Sequence, residues 1–184
     1  FPRFRNLHKQ ETDFLRGYAA GFSSSRRTIS DYSGIGDELE KSMAKEPEYG
    51  PWRMGSHMMG ETIPKEESQV SLDSELKDEW GIPQLKIAMD YDDNDEAMIK
   101  DYLEQMSEMF EAAGFTNIRT RDDKRAPGLD IHEMGGARMG KDPKTSVLNE
   151  WNQVHACPNV YVTDGSCMTS TSTQNPSLTY MAIT

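Results

Sequence analysis

Three short stretches near the end of this sequence hold the residue types that chemistry needs. Leu129-Asp-Ile-His-Glu-Met-Gly-Gly136 runs on to Arg138-Met139-Gly140. Val160-Tyr-Val-Thr-Asp-Gly-Ser166 and Thr173-Gln-Asn-Pro-Ser-Leu-Thr179 follow. His132 stands before two glycines. An imidazole is the usual general base near neutral pH, and the glycines let another segment or a ligand approach closely. A hydrogen-bonded structural histidine would fit the same position.

Asp164-Gly165 ends a short apolar strand. In an open α/β sheet, ligands sit just beyond the carboxyl ends of strands. A carboxylate there can accept a ribose or ribityl hydroxyl, and a glycine lets a ligand reach the backbone. An ordinary Asp-Gly turn accounts for the same two residues. Asn175-Pro176 opens a helix that reads through to Ile183, with Asn175 at the N-cap and Pro176 at the first helical position. Free N–H groups at such a terminus suit an anionic group, such as the N1/C2=O edge of a reduced flavin. Simple capping needs no ligand. The apolar density after Pro176 predicts a buried helix.

The remaining candidates are weaker. His8 and His155 lie in polar stretches and are expected to be exposed, and His57 precedes a strand-like run. Four scattered histidines give no metal-ligand spacing, so no metal site is expected. Cys157 and Cys167 form no CxxC motif, and free buried thiols are the commoner outcome for two such cysteines.

These segments must be held by something. Residues 1 to about 50 look irregular. Phe14–Phe22 reads as strand or short helix, Ser23–Thr28 as a polar loop, and Asp37–Lys45 as a short helix closed by Pro47 and Gly50. Ser56–Ile63 reads as a strand. Val70, Leu72 and Leu76 alternate on one face of a strand, and Leu85, Ile87, Met89 and Tyr91 on another, with Trp80-Gly-Ile-Pro83 between them. That pattern predicts antiparallel sheet with one face buried. Then the period changes. Met98, Ile99, Tyr102, Leu103, Met106, Met109, Phe110 and Ala113 share one helical stripe, with Asp92 or Asn94 as cap and Gly114 as the C′ residue. Thr116–Thr120 reads as a short strand and Arg121–Pro127 as a charged turn.

Composition narrows the partners. The 184 residues suffice for one ordinary domain or one and a half small ones, with 35% hydrophobic content. Mean hydropathy is -0.76. Thirty-one acidic against 20 basic side chains give -11, a field that repels phosphate backbones and excludes nucleic acid as a natural partner. It also disfavours anionic membranes and substrates and leaves neutral ones open. No run reaches transmembrane length. Phe1 is not a natural start, no signal peptide is visible, and localisation is not legible.

Together the three segments resemble the C-terminal signature of the glucose–methanol–choline (GMC) family of flavoprotein oxidoreductases. The resemblance in order and spacing spans 132–184. Asp142-Pro143 and Ser146-Val147 fit the linking stretch, and residues 56–115 agree more loosely with the family's substrate domain, in the version of bacterial sugar or polyol dehydrogenases. The resemblance implies an α+β fold: an antiparallel sheet backed by helices, with C-terminal segments that return to an FAD domain. It implies an irregular leading segment over 1–55, a substrate-binding sheet and helix over 56–131, and a catalytic, flavin-contacting segment over 132–184, cut within its last helix.

It further implies FAD as cofactor, a neutral sugar or polyol as substrate, and an electron acceptor that the sequence does not name. His132 would take the hydroxyl proton while hydride passes from that carbon to flavin N5. Asn175 would hold the second catalytic position. Asp164 and Gly165 would contact the ribityl–pyrophosphate part, and Asn175, Pro176 and Thr179 the isoalloxazine edge. One departure is large: the family's Gly-x-Gly-x-x-Gly dinucleotide fold is absent, since Gly135–Gly140 lacks that spacing. The chain alone is therefore expected to be inactive. The alternative is a non-catalytic carbohydrate-binding or scaffold module derived from this fold.

Overall fold

A computed structural model describes residues 5–29, 32, 34–45, 48–128 and 131–183. Among the described residues the architecture is mixed α+β, with strands β1 (Tyr18–Ile29), β2 (Glu48–Gly60), β3 (Gln69–Lys77), β4 (Pro83–Ala88), β5 (Gln153–Val154) and β6 (Cys157–Tyr161). The helices are α1 (Asp37–Met43), α2 (Asp93–Ala112) and α3 (Ser177–Ile183). The strands pair as three separate ribbons, β1 with β2, β3 with β4, and β5 with β6.

Ala20–Met58 is one compact unit. The polar run Ser23–Arg27 lies inside β1, where composition predicts a loop. Its described side chains are exposed, so the strand needs no apolar alternation. Arg26 anchors the ribbon: its Nε donates to the Gly50 carbonyl at 2.9 Å. Its guanidinium lies 4.9 Å from the centre of the Tyr49 ring.

The second unit comprises the described residues on either side. Its longest element is α2, and the sequence reads its limits well. Asp92 accepts from the Asn94 and Asp95 amides at 3.0 and 3.1 Å, while Asp95 accepts back from the Asp92 amide at 3.1 Å, a reciprocal capping box. Gly114 has φ +82, the left-handed conformation that ends a helix at little cost to glycine. Met98, Tyr102 and Met106 are buried, as the stripe predicts.

What covers that stripe differs from the expected sheet-on-helix layering. The leading segment does it. Tyr18 meets Tyr102 edge-on at 5.7 Å. The Tyr18 hydroxyl and Arg5 both donate to Asp101 at 2.7 Å. The β3–β4 hairpin forms in the predicted register, with Val70 opposite Ile87 and Leu72 opposite Leu85. Asp78 closes its turn by accepting from the Trp80 and Ile82 amides. Its apolar face is not buried, however. Leu72 and Leu85 are 67% and 64% exposed. A two-stranded ribbon has no interior, and no other described element lies over this one.

Two further expectations are corrected. Thr116–Thr120 forms no strand: Asn117 has φ 58, and a left-handed residue breaks the extended run. Helix α3 is not buried either, since Leu178 and Met181 are 80% and 71% exposed. The C-terminal core is small and lies elsewhere. Leu148 and Cys167 are fully enclosed, and Leu148 bridges Met139 on one side and Val154 on the other.

Candidate active site

The local chemistry of Asp164 starts the site. Its Oδ1 accepts from the Ser166 amide at 2.8 Å and from the Ser166 hydroxyl, capping a single 3-10 turn over Gly165–Cys167. The Ser166 hydroxyl first, and then its amide, hold this carboxyl below the usual range. Both contacts fall on Oδ1, so Oδ2 faces no donor among the described residues. An ordinary capped turn is thus present, and it leaves one ionised acceptor oxygen open.

The glycine-rich segment is stitched to this turn by its backbone. Ala137 donates to the Ser166 carbonyl at 3.0 Å and Met139 to the Cys167 carbonyl at 2.9 Å. Gly135 has φ +87, a left-handed turn that favours glycine, with the Met168 and Thr169 carbonyl oxygens at ordinary contact distance from where its Cβ would be. Gly165 shows no such backbone requirement. The place its Cβ would take is filled instead by the Met134 side chain, with Cε and Sδ at 2.8 and 2.9 Å.

His132, just before this segment, has φ 71. That region is strained for a residue with a Cβ, and such outliers gather where surrounding structure dictates a side chain's aim. Helix α3 begins at Ser177, one residue later than the sequence suggests. The Pro176 carbonyl accepts from the Thr179 and Tyr180 amides at 2.9 and 3.2 Å. Asn175 therefore sits outside the helix, and its side chain does not cap it. Instead Asn175 Oδ1 lies 3.1 Å from His132 Nε2. An amide can meet an imidazole in either sense: Oδ1 accepts from Nε2–H, and after a half-turn Nδ2 donates to the Nε2 lone pair. Both protonation states of that nitrogen have a partner.

Among the predicted site residues, the structure brings His132 and Asn175 into direct contact. Asp164 and Gly165 flank the strip that follows His132, with Pro176 buried behind Asn175 and Thr179 exposed on the first turn of α3. Thr173 is buried, and its Oγ1 has no partner among the described residues. The Asp-x-Ser spacing around Asp164 is a legible capping signal that the sequence reading passed over. Met134 carries no such signal, because its contact is purely tertiary.

The other nucleophiles and bases are accounted for structurally. His155 is half-buried, not exposed as its polar neighbours suggest. Its Nε2 lies 3.2 Å from the Gly140 carbonyl, which can only accept, so Nε2 carries the proton. Ser146 Oγ, 3.1 Å away, donates to the Asp142 carbonyl at 2.8 Å. This pair is a loop clamp without an activating base. Both cysteines are free, as expected, but only Cys167 is buried. Burial, and then the Asp164 charge, push the Cys167 thiol up, away from nucleophilic use. Among the described residues no group of acidic, His or Cys side chains could hold a metal ion, and no helix is long and apolar enough to cross a membrane.

Known proteins resemble this chain over much of its length. A family model described as GMC oxidoreductase matches residues 64–184. A 2-methyl-1,2-propanediol dehydrogenase from Mycolicibacterium austroafricanum is 30% identical over 94% of this chain and 33% of its own length. A paromamine 6'-oxidase from Streptomyces fradiae is 35% identical over 65% of this chain and 22% of its own. The large subunit of a fructose dehydrogenase from Gluconobacter japonicus is 24% identical over 81% of this chain and 26% of its own. The chain thus spans a third or less of the length of these relatives.

Proposed function

Since the chain belongs to the GMC oxidoreductase family, which is FAD-dependent and acts on CH–OH groups, we propose that residues 132–183 carry the proton-handling half of an alcohol-oxidising site. The observation that supports this most is the 3.1 Å contact between His132 Nε2 and Asn175 Oδ1, which joins two segments far apart in sequence. In this reading residues 56–131 contribute the substrate-binding sheet and helix. The substrate is a neutral sugar or polyol. The diol and sugar names of the relatives agree with that class, as does the charge of -11.

An alcohol becomes a good hydride donor only as its proton leaves, so base and acceptor must flank the same carbon. His132 takes the hydroxyl proton on Nε2. Asn175 steadies the ring and, through the other half of its amide, borders the same hydroxyl. Bound FAD supplies the acceptor for the hydride released as the carbinol carbon becomes a carbonyl.

The residues present fit that cofactor. Asp164 offers an ionised, unpartnered Oδ2 to a ribityl or ribose hydroxyl, and the backbone of Gly165 lies beside it. Asn175, Pro176 and Thr179 would adjoin the isoalloxazine edge. The unpartnered Thr173 Oγ1 lies two residues from Asn175, and a buried hydroxyl without a partner is costly unless something satisfies it. The test is His132→Ala in the complete protein that carries this chain, screened against neutral diols and sugars with an artificial electron acceptor. Near-normal flavin reduction in that variant would sink the assignment.

A further inference from the structure

We propose that Met134 is a positioning residue, whose thioether tip, seated in the space left by the missing Cβ of Gly165, locks the His132 loop onto the Asp164 turn. The inference rests on the reading of His132 as the base. It begins with why residue 165 is glycine. Gly165 has no left-handed φ, so its backbone admits any residue, and what an added Cβ would meet is a side-chain tip. That space holds Met134, with Cε 2.8 Å and Sδ 2.9 Å from the Cβ position.

The surroundings make this contact the hinge point of the strip. C-terminal to it, the Ala137 and Met139 amides fasten the segment to the Ser166 and Cys167 carbonyls. N-terminal to it comes His132, held in a left-handed conformation at φ 71 with its ring against Asn175. Met134 is therefore a side-chain contact with the Asp164 turn only two residues from the imidazole. An unbranched thioether suits a narrow, irregular socket. Losing it frees the two residues that aim His132, while the backbone stitches further along persist.

The experiment uses the complete FAD-loaded protein with Met134→Ala, Met134→Leu, Gly165→Ala and the double variant Met134→Ala/Gly165→Ala. Two quantities are read: amide hydrogen exchange in a peptide covering 131–140, and the rate of flavin reduction by 2-methyl-1,2-propanediol or D-fructose, whichever is turned over. FAD content is followed by absorbance. Met134→Ala speeds exchange in that peptide and slows flavin reduction by about tenfold, as expected when a reacting group is misplaced, with KM and FAD content nearly unchanged; Gly165→Ala, which displaces only a flexible side-chain tip, moves exchange and rate the same way in smaller measure. The double variant recovers, because the new methyl occupies the vacated socket, and Met134→Leu restores most of what Met134→Ala loses.

Effects that simply multiply in the double variant would overturn the proposal. So would loss of FAD in Gly165→Ala whatever stands at 134, which would give the glycine to the cofactor. Normal flavin reduction in His132→Ala would remove the base itself, and Met134's role with it. If His132→Ala is inactive and the exchange effects are independent, the Met134 inference alone fails.

Discussion

Replacing Asn175 by alanine removes the amide 3.1 Å from His132 Nε2 and leaves the imidazole without a described partner. The size of the effect follows from what that contact is. A hydrogen bond between neutral groups contributes about 0.5–1.5 kcal/mol net. This one is exposed, so a loss of about two- to thirteenfold in flavin reduction is expected at one factor of ten per 1.36 kcal/mol. Removing the proposed base is a different order of perturbation. General-base catalysis is worth about 10²–10⁴-fold, so His132→Ala should cost about 2.7–5.5 kcal/mol of barrier. Much of Asn175's effect is exerted through the ring, so the double variant should fall well short of the product of the two losses. Stopped-flow reduction of the bound flavin at saturating substrate measures all three, free of any slow electron-acceptor step. Losses that multiply, or an Asn175→Ala defect as large as that of His132→Ala, would refute the reasoning that the asparagine serves the histidine.

Other outcomes follow from the backbone and the caps. At φ 71 a Cβ costs about 1–2 kcal/mol, so His132→Gly should melt higher than His132→Ala; the reverse order would argue against the left-handed conformation. Asp92 is held at about 2, mainly by Lys65 and then by the Asp95 amide. Its depressed pKa means that its contribution is present above the ordinary aspartate range and is lost as pH falls through about 2. Asp92→Ala should therefore speed exchange in the first turn of α2 at neutral pH, with the gap closing in acid. Asp95 behaves oppositely: burial raises its pKa, so folding favours its protonated form. Asp95→Asn should leave α2 as stable at neutral pH or more so, and a lower melting temperature would contradict that. The 184-residue chain by itself should bind an apolar dye through the exposed face of Leu72, Leu76 and Leu85 and should stay colourless with FAD; a flavin absorbance band on the purified chain would overturn this.

Much of the site was legible in sequence because its parts are local. Asp92 and Gly114 mark the ends of α2 through chemistry confined to one turn. The β3–β4 register follows from alternation and one Asp78 turn. His132, Asp164 and Asn175 stand out because glycine, proline and small polar residues punctuate loops where side chains are free to act. Wherever the outcome depended on what covers a surface, sequence was a poor guide. Alternation at Leu72 and Leu85 says that one face is apolar, but not that anything lies on it. The stripe on α2 says that something must cover it, but not that Tyr18 does.

What sequence by itself determined, then, is the set of reactive groups, their order, and the helices and turns that local hydrogen bonds define. Tertiary structure alone decided two things: that Asn175 leaves its cap to meet His132, and that Met134 fills the place of a Gly165 side chain. The physical reason is one of range. Capping and periodicity act within a few residues, whereas each of these contacts joins chain segments that only folding brings within van der Waals or hydrogen-bond distance.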